Sequence, residues 1–371
     1  MHSDPPATAG GTDLSLRAIE AEMDSTKFTR QLIDIPSISG DEAQAARFLA
    51  AYLEGLNYRV EMQEVTTNRA NLIATTDKPP RVVLSTHLDT VPPFIASSED
   101  DEYIYGRGAC DAKGIIATQI AAAEHLRAEG IEEIGLLFTV DEEIASLGAR
   151  AANQHTLASE CLYLINGEPT DNLLATGSKG SLRVRVKTMG RAAHSAYPEK
   201  GESAIEKLLD VLAKIREIEW PVDSFLGETT CNIGVINGGT RSNIIPAAAE
   251  AQLHIRLTKE SKVVHEILNR AVDGSGAQVE TLSISEPVRM LEVEGFAQTV
   301  VRFTTDIPYL TNWGTPLLLG PGSIFDAHTE HERVAKRELT EAVELYVRLV
   351  HTLFARERKT AGHVNAEGAG R

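Results

Sequence analysis

Five polar segments of the chain carry residues able to do chemistry, and each of the first four lies beside a short apolar run. Ser85-Thr86-His87-Leu88-Asp89-Thr90 sets an imidazole and a carboxylate two residues apart, on one face of an extended segment. The stretch from Tyr105 to Gly114 holds Asp111 among glycines that let backbone approach it closely, just ahead of a helical pattern. Asp141-Glu142-Glu143 is the third segment and Asn166-Gly167-Glu168-Pro169-Thr170 the fourth. Gly320-Pro321-Gly322-Ser323, followed by Asp326-Ala327-His328, is the fifth. Each has a plain structural reading. A single His is more often a satisfied core residue than a ligand, and a triple acid in so charged a chain is usually a solvated face. Asp111 can be a helix cap, Glu168 a loop residue, and Gly320–Ser323 alone is a weak anion nest. The recurrence carries the argument: imidazoles and carboxylates fall after strand after strand, on the sheet edge where ligands bind in α/β folds. Two imidazoles and three carboxylates suit hard or borderline divalent cations, zinc foremost. A metal-bound imidazole usually donates its second N–H to a carboxylate, a place open to Asp89.

The elements that must position these segments follow from the apolar pattern. Runs at Arg81–Thr86, Gly135–Val140 and Cys161–Ile165 predict strands. Gly114–Glu129 is Ala-rich with helical spacing and is closed by Gly130, suited to a helix end. Residues 15–58 predict helices broken at Asp34–Gly40 by Pro36 and Gly40. Strands alternating with helices give an α/β domain with a mostly parallel sheet. The pattern changes near Lys179. Ser181–Met189 alternates as a strand, Glu202–Ile218 is an amphipathic helix, and Thr229–Ile236 and Ala247–Leu257 are strands joined through a Gly238–Gly239 turn. Val263–Val272 is a second helix and Gln278–Ser285 a last strand, so the order is that of a ferredoxin-like α+β unit. Phe296–Thr304 reads as helical, Thr315–Leu319 as a strand and Glu338–Leu353 as a long helix. The expected organisation is an α/β domain over residues 1–178 and 290–371, with the smaller unit, 179–289, inserted.

At 371 residues the chain fits two domains and can bury a full core unaided. Its 36 basic and 53 acidic residues leave a net charge of −17, which repels nucleic acid and anionic lipid and removes both from the expected partners. Cys110, Cys161 and Cys231 are odd in number and far apart, with no CxxC pair. They exclude a disulfide framework and a thiolate zinc site, and read as thiols in a reducing compartment. No stretch is long and apolar enough to span a membrane, and residues 1–13 lack the apolar core of a signal peptide, so a cytoplasmic protein is expected. The Gly/Ala-rich tail after Arg358 is expected to be disordered.

Taken together, the motifs resemble the cocatalytic-zinc amidohydrolase family that includes acetylornithine deacetylase, succinyl-diaminopimelate desuccinylase, aminoacylase and the zinc glutamate carboxypeptidases. The match runs in order through Ser85–Thr90, Gly106–Gly114, Asp141–Glu143, Gly167–Thr170 and Ala327–Val334, and covers nearly the whole chain. The resemblance implies two divalent metals, zinc foremost, with cobalt or manganese as alternatives. His87 is implied as a ligand of one and His328 of the other, with Asp111 bridging them. Glu168 joins His87's metal, and Glu143 joins that of His328. Glu142 is the implied general base, Asp89 the partner of His87, and the Asp111–Ala112 peptide is implied to be cis. In such centres two cations roughly 3.5–4 Å apart acidify a water. Glu142 then takes the proton, and the amide is attacked by the resulting hydroxide.

The inserted unit resembles the family's lid and dimerisation domain. His194, within Gly190–Pro198, is implied to reach the partner subunit's site and stabilise the oxyanion, although a surface-loop His is its plain reading. Arg256 is implied to hold a substrate carboxylate, Asn243 to lie near the oxyanion and Lys179 to be a cationic contact. A solvated Lys179 and an edge-strand Arg256 that blocks aggregation are the alternatives. Gly320, Gly322 and Ser323 can add backbone N–H donors, and the Gly320-Pro321-Gly322 loop resembles the acetylornithine deacetylase branch. Ala112 stands where many members have a larger residue, often Met. His331 follows His328 where acidic residues are usual, which leaves the two histidines as alternatives, and the match of Glu332 to the family's acid favours His328. The implied activity is deacylation of a small N-acyl amino acid by a homodimer. A metal-dependent dipeptidase or carboxypeptidase is the alternative. A catalytically dead binding protein is a third reading, which the intact Glu142 and full ligand set oppose.

Overall fold

The computed structural model describes residues 24–368. The segment before Asp24, including the helical start expected at residue 15, lies outside them. Asp24 caps α1 (Ser25–Ile33), its side chain accepting the Lys27 N–H at 3.0 Å. The chain turns through Pro36 and Gly40, where φ is +105°, into α2 (Ala43–Gly55). The hairpin β1 (Arg59–Thr66) and β2 (Arg69–Thr75) follows, then β3 (Val82–His87), α3 (Lys113–Ala128), β4 (Ile134–Thr139) and β5 (Tyr163–Asn166). Every residue of β3, β4 and β5 is buried. Strands covered on both faces read as continuous apolar runs, which is why these were legible without alternation.

β3 pairs in parallel with β4 on one side and β5 on the other. β2 adds antiparallel beside β4, and β1 lies antiparallel outside it. The register places His87 opposite Thr139 and Ser85 opposite Asn166. The segments after β4 and β5 therefore leave the sheet at the edge where β3 ends in His87.

The second unit begins with β6 (Leu174–Ser178) and β7 (Gly180–Met189). α4 (Ala204–Arg216), β8 (Thr230–Gly238), β9 (Ala248–Leu257), α5 (Ser261–Val272) and β10 (Gln278–Ser285) complete the ferredoxin-like part. Its sheet runs β8-β9-β7-β10, antiparallel throughout. One face packs Val184, Val186, Leu253 and Ile255 against Leu208 and Leu268 of the helices. The other is polar, as the alternation along β7 and β9 predicts. β11 (Val288–Arg289), β12 (Gln298–Val301) and β13 (Thr315–Leu318) all pair with β6. α6 (Lys336–Gly368) closes the chain.

Two expectations are corrected. Phe296–Thr304 is not helical: Gln298–Val301 is a strand parallel to β6, where β-branched Thr299, Val300 and Val301 suit a pleated partner better than a helix. The backbone stays helical past Arg358 to Gly368, since extending a helix costs far less than nucleating one. The two compact units are the described residues up to Asn172 with Asn312–Gly314 and Leu319 onward, and Leu173–Thr311 with Thr315–Leu318. Residues 173–178 group with the smaller unit because β6 takes β11, β12 and β13 as neighbours. All three cysteines are free. No helix among the described residues is long and apolar enough to cross a membrane.

Candidate metal centre

His87, the last residue of β3, is buried, and its ring is fixed from both sides. Nδ1 lies 2.9 Å from the carbonyl oxygen of Asp89 and Nε2 lies 2.8 Å from Oδ1 of Asp111. A carbonyl only accepts, so Nδ1 carries a hydrogen, and in the neutral form of the ring, the form that can bind a metal, the lone pair is on Nε2. The other Asp111 oxygen, Oδ2, is 3.2 Å from Nε2 of His328, and Glu143 Oε1 is 2.9 Å from that same nitrogen. Asp111 thus stands between two imidazoles with one oxygen for each. Ligand atoms of His87, Asp111 and Glu143 all lie within 4.8 Å of one another. Glu168 is buried beyond the end of β5 and acts on His87 electrostatically. Nitrogen lone pairs and carboxylates aimed at each other need shared positive charge, and this donor set fits divalent cations.

The electrostatics express the same crowding. Burial opposes charge on His87, yet Asp111, Asp89 and Glu168 raise its pKa well above the ordinary value. Asp111 and Glu143 lift His328 to about 10. Burial works against the Asp111 carboxylate, but His328 and His87 hold it below the usual range. Burial and neighbouring Asp111 push Glu143 up. The His331 side chain is 85% exposed and lies 3.6 Å from Glu330, whereas His328 is the imidazole brought to Asp111 from the last loop. The Asp111–Ala112 peptide is cis.

The sequence pattern of peptidase family M20/M25/M40 matches residues 83–352. The chain belongs to this family. A peptidase M20 domain-containing protein of Schizosaccharomyces pombe is 37% identical over 331 residues, 86% of this chain and 82% of that protein. A probable carboxypeptidase of Talaromyces marneffei is 36% identical over 386 residues, 89% of this chain and 86% of that one. Among solved structures, the M20 family metallo-carboxypeptidase Sso-CP2 of Sulfolobus solfataricus has a TM-score of 0.72 at 17% identity, over 88% and 98% of the two chains, a likeness of fold. The protein is therefore a metal-dependent M20 hydrolase, of a family that uses a dinuclear centre.

Asp89 and Glu332, both marked in the sequence, position this M20 centre together with Ser39, Asp141, Arg69, Glu42 and Arg107, whose roles the sequence did not signal. The Asp89 carboxylate accepts the backbone N–H groups of Glu142 at 3.1 Å and Glu143 at 3.2 Å, and the Ser39 hydroxyl at 2.7 Å. Its distance to His87 Nδ1 is longer, 3.6 Å, so it grips the Glu142–Glu143 turn more closely than the imidazole. The same turn is held from behind by Asp141, which pairs at 2.7 Å with Arg69, itself 2.5 Å from buried Glu42. Glu332 accepts the N–H groups of Gly108 at 2.9 Å and Asp111 at 3.2 Å and pairs with Arg107 at 2.5 Å, which fixes the Asp111 loop.

The glycines of the last loop turn out to be packing residues. A Cβ on Gly320 would lie 2.5 Å from the Glu168 carbonyl oxygen, and one on Gly322, at φ +84°, would lie 2.4 Å from Cys110 Cβ. The Gly320 N–H donates to Thr170 Oγ1 at 3.0 Å and the Gly322 N–H to Glu338, so neither is a free donor for substrate. The Ser323 carbonyl accepts the Asp326 N–H at 3.0 Å within the same loop.

In the second unit, His194 is exposed and pairs through backbone with Ile244, while the Ser195 N–H donates to the Asn243 carbonyl at 3.1 Å. The structure thus brings His194 and Asn243 side by side. His194 Nδ1 accepts the Ala196 N–H at 3.1 Å, which leaves Nε2–H as an outward donor. Arg256 lies on β9, an interior strand between β8 and β7, which removes the edge-strand alternative. Lys179 is buried rather than solvated, and its ammonium donates to the Glu228 carbonyl.

Proposed function

We propose that the protein hydrolyses the amide bond that joins an acyl or peptidyl group to a terminal amino acid bearing a free carboxylate. The observation that carries this reading is the sharing of Asp111 between His87 and His328, beside two glutamates on a turn gripped by Asp89. The chemistry that divalent cations would supply here is a more acidic water and a polarised amide carbonyl. Glu142 takes the proton from that water and returns it to the departing amine. Asp111, Glu143, Glu168, His87 and His328 would hold the cations, with zinc the first candidate. The outward Nε2–H of His194 suits donation to the oxyanion in the partner subunit's site, with Asn243 beside it. Arg256 pairs with the free carboxylate through its planar fork. The edge strand β8 exposes Val235 and Ile236, a surface suited to two-fold pairing in a homodimer.

We rank carboxypeptidase cleavage ahead of deacylation, a reading supported by relatives named probable carboxypeptidases. Deacylation of an N-acetyl amino acid, as in acetylornithine deacetylase, is the second reading, supported by the resemblance of the Gly320–Gly322 loop. The test is a panel of N-acetyl amino acids, N-succinyl amino acids, dipeptides and N-blocked dipeptides, each with and without chelator. Release of the terminal amino acid should require metal and a free carboxylate. Full activity in metal-free protein, or equal cleavage of terminal acids and their amides, overturns the reading. A fully metal-loaded protein that cleaves nothing in the panel points to the dead binding protein.

A further inference from the structure

The open face of the lid sheet has two ends with different charge balance. Across β9 and β7, His254 sits opposite Arg183 and Arg256 opposite Ser181. Arg183, His254 and Arg256 therefore share one face, and the two arginines are diagonal neighbours, a spacing long side chains can bridge. Further along β7 on the same face, the cations are neutralised. Arg185 meets Glu250 at 3.6 Å and Glu280 at 3.2 Å, and Lys187 meets Glu280 at 2.6 Å. Arg183 and Arg256 have no acidic partner among the described residues. Their other cross-strand neighbours are neutral: Thr230 opposite Arg256, Asn232 opposite His254, and Ser283 opposite Arg183.

This end of the face is therefore cationic and uncompensated. Burial and then Arg183 depress the pKa of Arg256, so each guanidinium opposes the other. Burial, with help from both arginines, lowers His254 to about 4, so it is neutral at neutral pH and adds no third charge. In a chain carrying 53 acidic residues, two adjacent guanidiniums with no carboxylate beside them select an anion from solution. Each offers a fork that matches one carboxylate.

We propose that Arg183 and Arg256 form a two-guanidinium subsite for the two carboxylates of an acidic terminal residue, so the amino acid released is aspartate-like or glutamate-like. This rests on the reading that Arg256 receives the substrate's α-carboxylate. Arg183 takes the side-chain carboxylate and sets specificity. A neutral terminal residue leaves Arg183 without a partner, and binding loses one charge-assisted contact.

The test compares N-blocked dipeptides ending in Glu and Gln, read as a ratio of kcat/KM. Wild type should favour Glu by about 10- to 100-fold, the range of one charge-assisted hydrogen bond. Arg183→Ala should bring the ratio towards unity, and Arg183→Lys, which keeps charge but not the fork, should fall between. Arg185→Ala, already ion-paired on the same face, should keep the wild-type ratio. A wild-type ratio near unity, or one unchanged in Arg183→Ala, overturns the proposal. Failure of the underlying reading is seen separately, as equal cleavage of the Gln-terminated acid and its terminal amide. A readout without turnover is calorimetric titration of glutarate and butyrate into the metal-loaded protein. Glutarate should bind more tightly, and Arg183→Ala should remove the difference. Equal binding of the two acids by wild type overturns the subsite.

Discussion

Replacing Asp89 by Asn separates two tasks that one residue performs through different atoms. Its carbonyl oxygen takes His87 Nδ1 at 2.9 Å, whereas its fully buried carboxylate accepts Glu142 N–H, Glu143 N–H and the Ser39 hydroxyl at 3.1, 3.2 and 2.7 Å. Asn keeps the shape and the backbone, so His87 keeps its tautomer and its free Nε2. One carboxylate oxygen becomes an NH2 that faces an N–H donor whichever way the amide is turned. At least one charge-assisted hydrogen bond, worth ~1.5–3 kcal/mol, is lost, and a backbone N–H is left facing another donor. If that loss falls wholly on the placement of Glu142, kcat/KM drops by roughly 10- to 100-fold. The assay pairs steady-state kinetics with metal analysis of the purified Asp89→Asn protein. Two metals should remain, with the loss in kcat rather than KM. If the carboxylate instead served chiefly to raise the basicity of His87, metal affinity would fall by about 10- to 100-fold and excess metal would restore the rate. Rescue by excess metal refutes the division of tasks argued here.

Three further outcomes are expected. Glu142→Gln should retain both metals and lose about 10²–10⁴-fold in rate, because the amide cannot accept a proton; if Glu142→Gln loses a metal while Glu143→Gln keeps both, their roles are exchanged. Chelated protein should lose thermal stability as pH rises from 6.5 through about 10, since His328 is stabilised in its charged form with a raised pKa. Metal-loaded protein should respond in the opposite sense, because imidazole must lose its proton to bind, and a chelated His328→Gln variant with the wild-type pH slope would contradict this assignment. His331→Ala, at an 85% exposed side chain, should change neither metal content nor rate, and a loss of metal there would reopen the choice between the two histidines.

What could be read from the sequence was what local pattern encodes. β3, β4 and β5 are buried on both faces and show themselves as apolar runs, so the polar residues after them mark one sheet edge. The ferredoxin-like unit was legible because β7 and β9 alternate in burial, and Gln278–Ser285 begins and ends as expected. Pairings across long separations were not legible. Glu42, Arg69 and Asp141 form one largely buried ion cluster, yet no spacing links a helix end, a hairpin and a turn. Glu332 was marked only by resemblance; its grip on the Gly108 and Asp111 N–H groups appears once the last loop folds back. Strand order is equally silent in the sequence, which is why Arg256 could be read as an edge charge when β9 is interior.

The charge of the chain and the chemistry of its centre place opposing demands on an anionic substrate. Asp111, Glu143 and Glu168 gather on one sheet edge of a protein whose net charge is −17, and without cations such an edge repels a carboxylate. Two divalent cations would offset most of the negative charge of the carboxylates gathered there, so metal loading should make the local field far less repulsive to an anion. The positive charge that Arg183 and Arg256 offer needs no such loading. Metal content should therefore govern more than turnover: an anionic substrate should bind weakly to chelated protein even with both arginines intact. A neutral terminal amide should lose far less affinity on chelation. Titration of a terminal acid and its amide into chelated and loaded protein measures this difference. Equal losses for the two would place the effect in lost coordination rather than in the field.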